Sequence, residues 1–475
     1  MKLYRFLIYL MPIGLFTVSC NKFLDVKPKT QIDAEDVFKD EQGYMDALTG
    51  VYLNMDVNAL YGRELTYGFT DVIGKQHTVF SGTSQEYYYT AQYAYLRGEV
   101  RGKIDGIYGG MYNAIAEDNN IIGHLQADGA AKFSGVNFRI IHGEAHALRA
   151  LLHFDLLRLF GPSPVAADAG TIKAIPYLDQ LTVAAPPRLT VKEVVDKVIA
   201  DLAVAETDLL AADPIVPGST TPTTTTGFLR NRRQKMNYYA VKALQARVYL
   251  YAGDKPKALA AAQTVINSGV YPLTPANQVA GNRLFSQELI FALYKSDMAA
   301  NVTSYFTPPA SGAGAGNLLT KTVAEYNTVY ESTTDVRYSQ LTAYDNVTQL
   351  RYSIKLGQVT SSGTQYTTAI PVFRVSELYY IAAECLKESN PADAAAYVSQ
   401  VRVARDATPL SGSLTPAQLQ DEIFKEYRRE FYCEGQLFHY YKRLNAPQIN
   451  GLAVTATQYV LPLPDDETTY GNGGN

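Results

Sequence analysis

Two helical hairpins constrain what this chain can fold into. Apolar residues recur at helical spacing from Met236 to Ala252 and again from Lys255 to Ser268, separated only by Gly253-Asp254 and followed at once by Pro256. Ser376 to Lys387 and Pro391 to Arg405 repeat this arrangement around Ser389-Asn390-Pro391. Each pair spans about thirty residues with small Ala at the contact positions, the period of stacked helix-turn-helix repeats of the tetratricopeptide type. In such repeats each pair covers the apolar face of the next. Helical spacing also marks Asp33 to Met55, Gly102 to Gln126, Asn137 to Phe160, Thr190 to Ala211 and Thr415 to Arg443. The intervals between pairs are long and irregular, so the array is interrupted. Gly218 to Gly227 (GSTTPTTTTG) and Thr307 to Asn317 (TPPASGAGAGN) are too poor in apolar residues to build a core and read as loops. Alternating Tyr, Thr and apolar residues from Tyr338 to Gln365 predict a little strand. The predicted fold is mainly α: interrupted tetratricopeptide-like hairpins with irregular loop insertions and minor β structure.

Composition removes several functions. The 475 residues carry a formal net charge of −4, and no basic stripe is present to displace counterions from phosphates, which argues against a nucleic-acid binder. With 47% hydrophobic and 19% charged residues the chain is neither disordered nor a coiled coil. It contains no Trp but 36 Tyr, so a surface needing flat aromatic faces must use Tyr or Phe.

The N-terminus reads as an address. Lys2 and Arg5 supply a positive segment, Phe6 to Val18 a short apolar one, and Thr17-Val18-Ser19-Cys20 a small-residue cleavage site ending in Cys. This pattern predicts a lipoprotein signal over 1–19, with Cys20 as the acylated first residue of a single domain over 20–475. Thr17 stands where such sites usually carry Leu, and a signal cleaved elsewhere would make Cys20 incidental. Several acyl chains together give stable anchoring. No later apolar run reaches the roughly eighteen residues of a membrane span. Cys385 and Cys433 both fall in helical segments. A bridge and two buried free thiols are both compatible with the sequence, and a core of this size does not need the bridge.

Chemistry-bearing constellations are few. His142, His146 and His153 share one face of a predicted helix. The first two are spaced to share a metal, whereas His153 lies about 10 Å further on. Glu144 is on the opposite face, and His-Gly-Glu-Ala-His is not a metalloprotease order, so ordinary packing is the favoured reading. No nucleophile elbow, phosphate-cradling loop or recognisable carboxylate pair occurs. The sequence predicts no enzyme, no metal and no cofactor. Its most informative polar-aromatic segment is Tyr87 to Tyr95. Held extended, it would point Tyr87, Tyr89, Tyr93 and Tyr95 to one side, either as a stacking platform for sugar rings or peptide groups, or as a Tyr-rich strand packed on a helix layer. Arg63 and Arg97 are nearby in sequence as bidentate donors. Tyr294, Tyr305 and Phe306 in a second irregular region are candidate partners. Inside the apolar helices, Arg428 and Arg429 against Glu430 and Glu434 can meet the need of buried charges for partners.

Several blocks carry a family resemblance. Cys20-Asn21-Lys22-Phe23-Leu24-Asp25 opens the chain. Gly143-Glu144-Ala145, Leu148-Arg149-Ala150 and Arg158-Leu159-Phe160-Gly161 follow, then Leu244 to Leu250 with Gly253-Asp254. Phe373 to Leu378, Ala382-Ala383-Glu384, Glu426 to Phe431, Glu434-Gly435 and Leu461-Pro462-Leu463-Pro464 complete the order. With these blocks the chain resembles the SusD/RagB family of Bacteroidetes surface lipoproteins over nearly all of its length after Cys20. It departs after Gln436, where the family usually shows Arg-Trp/Phe and an Asp but Leu437, Phe438, His439, Tyr440 and Tyr441 stand here. The resemblance implies a non-catalytic nutrient-binding lipoprotein, lipid-anchored and exposed on the outer membrane. Its implied partners are a SusC-like TonB-dependent transporter and an oligosaccharide or, as in RagB-like uptake, a peptide. It implies a helical scaffold including 137–160, 236–268, 376–405 and 415–443, and a loop-rich ligand face over about 60–100 and 270–370. A surface glycoside hydrolase and a pure protein-interaction scaffold are the rival readings from other classes.

Overall fold

A computed structural model describes residues 34–80, 82–219, 221, 227–309, 316–357 and 368–471. The predicted lipoprotein signal and Cys20 lie outside these residues, as do the centres of the two Thr/Gly-rich loops. Helix starts follow local chemistry. Asp40 caps α1 (Glu41–Met55), Asn237 caps α6 (Tyr238–Tyr251), Asp254 caps α7 (Lys255–Ile266), and Asn390 caps α10 (Pro391–Ala404), each side chain accepting from a first-turn N–H. Reciprocal capping boxes start α5 (Val191–Ala212) with Thr190 and Glu193, and α11 (Pro416–Glu430) with Thr415 and Gln418. The other principal helices are α2 (Phe69–Ile73), α3 (Gly98–Asp128), α4 (Asn137–Phe160), α8 (Met298–Phe306), α9 (Val375–Leu386) and α12 (Gln436–Arg443). No described helix is long and apolar enough to cross a membrane.

The scaffold is a row of packed hairpins. α4 is buried almost all round and lies closely along α5. A Cβ on Gly143 would approach Leu209 Cγ to 2.8 Å, so only Gly permits that contact. α6 and α7 form one hairpin, and α7 packs on α9, which pairs with α10 in the next. Both sequence-predicted hairpins are therefore present and adjacent.

Four two-stranded sheets accompany them among the described residues, two of them built from the longer strands. Strands β2 (Thr342–Asp345) and β3 (Leu350–Ser353) pair antiparallel within the region predicted to hold strand. β1 (Leu289–Tyr294) and β4 (Ala369–Arg374) also pair antiparallel, deep in the core. The predicted helix over Thr415–Arg443 is two helices. It breaks between Glu430 and Gln436 because Cys433 (φ 67°) and Gly435 (φ 72°) adopt left-handed backbone, and Asp71 of α2 holds that turn by accepting from the N–H groups of Cys433 and Gly435 at 2.7 and 2.9 Å. Similarly, the helix predicted to start near Asp33 is interrupted before Asp40, leaving Ala34–Val37 separate from α1.

A buried ionic lattice joins these elements. Arg337, Arg374, Arg402, Arg405, Arg429 and Lys355 are matched by the buried Asp335, Glu288, Glu426, Glu430 and Glu434 and by Glu331 at the surface, with charge balanced across the set. Desolvation disfavours each charge alone, so such residues persist in a core only when paired. The pairing differs from the sequence expectation. Arg429 meets Glu426 and Glu331, while Arg428 reaches outward to Asn450. Glu430 and Glu434 instead take Arg337, Arg374, Arg405 and Lys355 from distant segments.

Candidate functional site

Helix α8 runs along the segment that follows α1, and their facing residues are polar. Asp297, Asn301 and Tyr305 recur every fourth position, so they share one face. Asn301 Nδ2 donates to Asn58 Oδ1 at 3.2 Å, and Arg63 Nη1 donates to the Tyr305 hydroxyl at 2.5 Å. Lys295 pairs with Asp297 at 2.6 Å, and both act on Asp56. Burial pushes the Asp56 carboxyl up to about 7, Lys295 opposing and Asp297 adding to the shift. Asp56 Oδ1 is buried with no hydrogen-bond partner among the described residues. Tyr294, the last residue of β1, is 53% exposed immediately before this row. Asn301 and Tyr305 are themselves buried, so the edge shows solvent the Tyr294 ring and the half-buried Asp56, Asn58 and Arg63.

A polar knot anchors one end of that edge. Arg63 contacts Glu64 at 2.9 Å and Glu86 at 3.5 Å; Lys103 reaches Glu86 at 2.6 Å and Glu64 at 3.3 Å. Tyr305 donates to Glu86 at 2.5 Å, and Tyr87 donates to Glu64 at 3.0 Å with its ring under Lys103. Burial raises the Glu86 carboxyl, but hydrogen bonds from Lys103 and Tyr305 together with the nearby charges hold it below its ordinary range. Three residues singled out in the sequence, Arg63, Tyr87 and Tyr305, thus meet here. Phe306 is buried against Tyr67 at 5.4 Å and braces the knot from below.

The four-tyrosine platform is corrected by the structure. Tyr87 to Tyr95 is a chain of turns with one 3₁₀ turn at Thr90–Gln92, and Tyr93 is left-handed (φ 57°). Period-two alternation therefore never develops. Tyr95 is buried and donates to Gln458 O at 2.7 Å, whereas Tyr93 donates to Ile73 O at 2.8 Å. Tyr89 and Tyr93 are half-buried, and Tyr89 has Tyr88 edge-on at 5.1 Å and the exposed Arg97 guanidinium 3.7 Å from its ring centre.

Other constellations are structural. His142 Nδ1 faces Asp208 at 2.6 Å, His146 Nδ1 faces Asp201 at 2.8 Å, and His153 lies between Arg149 O and the Leu178 N–H, so each histidine has its own partner. Asp71, His77 and Cys433 bring donor atoms within 4.8 Å of one another, the only such group found among the described residues. Its donors are committed elsewhere: Asp71 to two backbone N–H groups, His77 to Tyr432 OH and Tyr67 O. Lys321 adds positive charge to that neighbourhood. Cys385 and Cys433 are both free and buried. A groove of about 900 Å³ opens on the hairpin side, bordered by α5, the α6–α7 turn and the end of α12, with Lys192, Lys255, Lys257, Lys387 and Arg443 among its lining residues.

Sequence reasoning missed Asp56, Asn58, Glu86, Lys103 and Asn301. The spacing of Asp297, Asn301 and Tyr305 was visible as a polar helical stripe, but its partner segment lies more than two hundred residues away in the chain.

Fold and site together define a helical-hairpin scaffold that carries a polar and aromatic edge on its irregular insertions. Residues 22–229 match the family model described as "Starch-binding associating with outer membrane", and residues 290–469 match that of the SusD family. The SusD-like protein P2 of Formosa agariphila is 26% identical, with 98% of this chain and 97% of the relative covered. A SusD superfamily protein from Bacteroides thetaiotaomicron superposes with TM-score 0.67 at 24% identity, covering 90% of this chain and 97% of that one. A SusD-like carbohydrate binding protein from Bacteroides vulgatus superposes with TM-score 0.70 at 19% identity, covering 90% and 96%. The chain belongs to the SusD/RagB family.

Proposed function

We propose that this protein is a non-catalytic carbohydrate-binding lipoprotein of the outer membrane that captures oligosaccharide and delivers it to a TonB-dependent, SusC-like transporter. The observation carrying the reading is the α8 edge, where an unpartnered Asp56 oxygen stands near Asn58, Asn301 and Arg63, with Tyr294 exposed beside the row. Amide, carboxyl and guanidinium groups hydrogen-bond vicinal hydroxyls, and a Tyr face stacks on the apolar side of a pyranose ring. Tyr89 and Arg97 extend the ligand face. Tyr87, Tyr93, Tyr305 and Phe306 position it from beneath. The starch-binding and carbohydrate-binding descriptions carried by relatives support the same ligand class.

Cys20, acylated after removal of residues 1–19, anchors the single domain at the cell surface. The hairpin side with its groove faces the transporter, and no bond in the ligand is broken. Calorimetric titration with a panel of oligosaccharides and peptides, followed by chromatography of the recovered ligand, tests this reading. Saturable binding of an oligosaccharide recovered intact is expected. Preference for peptide would move the protein to the RagB-like reading, cleaved sugar would make it a hydrolase, and retention of a barrel without binding any small molecule would make it a scaffold.

A further inference from the structure

On the reading of the α8 edge as the ligand site, on which this inference rests, the charges of the edge limit what it can hold. Its cations are taken. Arg63 meets Glu64 and Glu86, Lys103 meets the same two acids, and Lys295 meets Asp297, all at 2.6–3.5 Å. Further out, Arg97 lies over the Tyr89 ring and pairs with Glu99 at 3.5 Å, while Lys75 donates to Ala91 O with its amine over the Tyr93 ring. One carboxyl group is not taken. Asp56 is half-buried, and its Oδ1 has no hydrogen-bond partner among the described residues. Lys295 acts on Asp56, but Asp297 acts on it in the opposite sense. Asp56, Glu64, Glu86 and Asp297 outnumber Arg63, Lys103 and Lys295, so the edge carries surplus negative charge with an acceptor left over.

The flanking chain supplies no counter-charge. Lys295 N–H donates to Thr368 O at 2.7 Å, so the segment entering β4 passes this edge. Residues 358–367 before it, and 310–315 beyond α8, contain no Asp, Glu, Lys or Arg. Recognition of a carboxylate or sulfate needs free cationic N–H donors, best in the fork of a guanidinium. It also tolerates no second carboxylate at the same place, because like charges that share a site cannot both stay ionised. Here the cationic donors are engaged and the free acceptor is an acid. Hydroxyl groups fit such an edge, since they donate to Asp56 and accept from a neutral amide. The contact from Asn301 uses Asn58 Oδ1 and not the Asn58 amide nitrogen.

We propose that the α8 edge takes uncharged saccharides and rejects uronic and sulfated ones, with Asp56 as the residue that sets this preference. A neutral pyranose lies on the exposed Tyr294 ring and gives a hydroxyl hydrogen to Asp56. A carboxylate or sulfate at the same place meets the Asp56 charge with no cation free to offset it. Selection against the wrong ligand by an unmatched charge costs the right ligand nothing, because the same oxygen serves as its acceptor.

Calorimetric titration at low ionic strength and pH 8, where Asp56 is ionised, tests this with two sets of sugars. The neutral set is malto-, cello-, xylo-, manno- and laminarihexaose; the anionic set is oligogalacturonate, oligoguluronate and sulfated carrageenan and heparin fragments. The tightest neutral sugar should bind at least about tenfold more tightly than the tightest anionic one. Asp56→Asn keeps the shape and removes the charge, and should raise the affinity for the anionic sugars, a gain that loss of a contact alone cannot give. Asp421→Asn removes the same net charge from an exposed position on α11, beside Gln420 at the border of the hairpin-side groove, and should leave both affinities as in the wild type. That variant separates Asp56 from the overall charge of −4. An anionic sugar bound as tightly as any neutral one, or no gain in Asp56→Asn, would overturn the proposal and leave the edge a glycan site. Failure of every sugar in both sets to bind would overturn the glycan reading of the edge, and this preference with it.

Discussion

Glu430 is the hub of the buried ionic lattice, and its replacement by Gln tests whether that lattice holds the C-terminal half of the chain together. The carboxylate accepts from Arg374 at 2.7 Å, Arg405 at 2.7 Å and Arg337 at 3.1 Å, and all four side chains are shielded from solvent. Glu430→Gln keeps the shape but removes one negative charge from a balanced set, leaving three guanidiniums with a neutral neighbour. Breaking a buried pair by removing one partner costs about 3–5 kcal/mol. At about 2.1 cal/mol/K per residue, the unfolding entropy of a chain this long is near 1 kcal/mol/K, so Tm should fall by about 3–5 °C. Calorimetry at pH 7 would read this, with far-ultraviolet circular dichroism showing retained helix.

The pH dependence adds an internal check. Burial alone would raise the Glu430 carboxyl, but Arg405, Arg374 and Arg337 hold it well below its ordinary range. A depressed folded value stabilises above the unfolded carboxylate pKa of about 4.3 and is lost as pH falls through the folded value. Glu430→Gln lacks that acid limb, so its deficit should shrink on acidification below about pH 4. A deficit under about 1 kcal/mol at pH 7, or one unchanged at acid pH, would refute the reasoning.

Three further outcomes follow from individual residues. Gly435→Ala should destabilise by more than about 3 kcal/mol in urea unfolding, since its φ is 72° and a Cβ would meet Leu65 O at 2.4 Å. Asp56→Asn should flatten stability against pH: burial raises the folded carboxyl to about 7, so the wild type loses stability as pH climbs from about 4 towards 7 and the variant does not. Cys385, pushed up to about 12 by burial, and Cys433, raised further, should resist a disulfide reagent at pH 8 in the folded body and both react on unfolding.

Much of the scaffold was legible because its signals are local. Asp254 with Pro256, and Asn390 with Pro391, sit within the turns they create, and Thr190 and Thr415 start helices through neighbours three residues away. The β1–β4 sheet was not legible. Leu289–Tyr294 and Ala369–Arg374 are almost wholly buried, so they lack the alternation that marks a half-exposed strand. The tyrosine segment misled for the opposite reason. It alternates well enough on paper, yet its hydroxyls are claimed by Ile73 O, Gln458 O and Glu64, partners that only the fold brings near. The same holds for the α8 edge, whose members come from distant parts of the chain. Pairing in the ionic lattice was open too, since Arg428 and Arg429 look equivalent in sequence but only Arg429 faces inward.

Binding localised to that edge is the central claim. The most direct measurement compares, by calorimetry on one oligosaccharide bound by the wild type, the double variant Asp56→Ala/Tyr294→Ala with Tyr95→Phe. The double variant should lose affinity by at least about tenfold, equivalent to about 1.4 kcal/mol, while Tyr95→Phe, whose ring lies beneath the surface, should bind as the wild type does. Equal affinities for the wild type and the double variant would contradict the account.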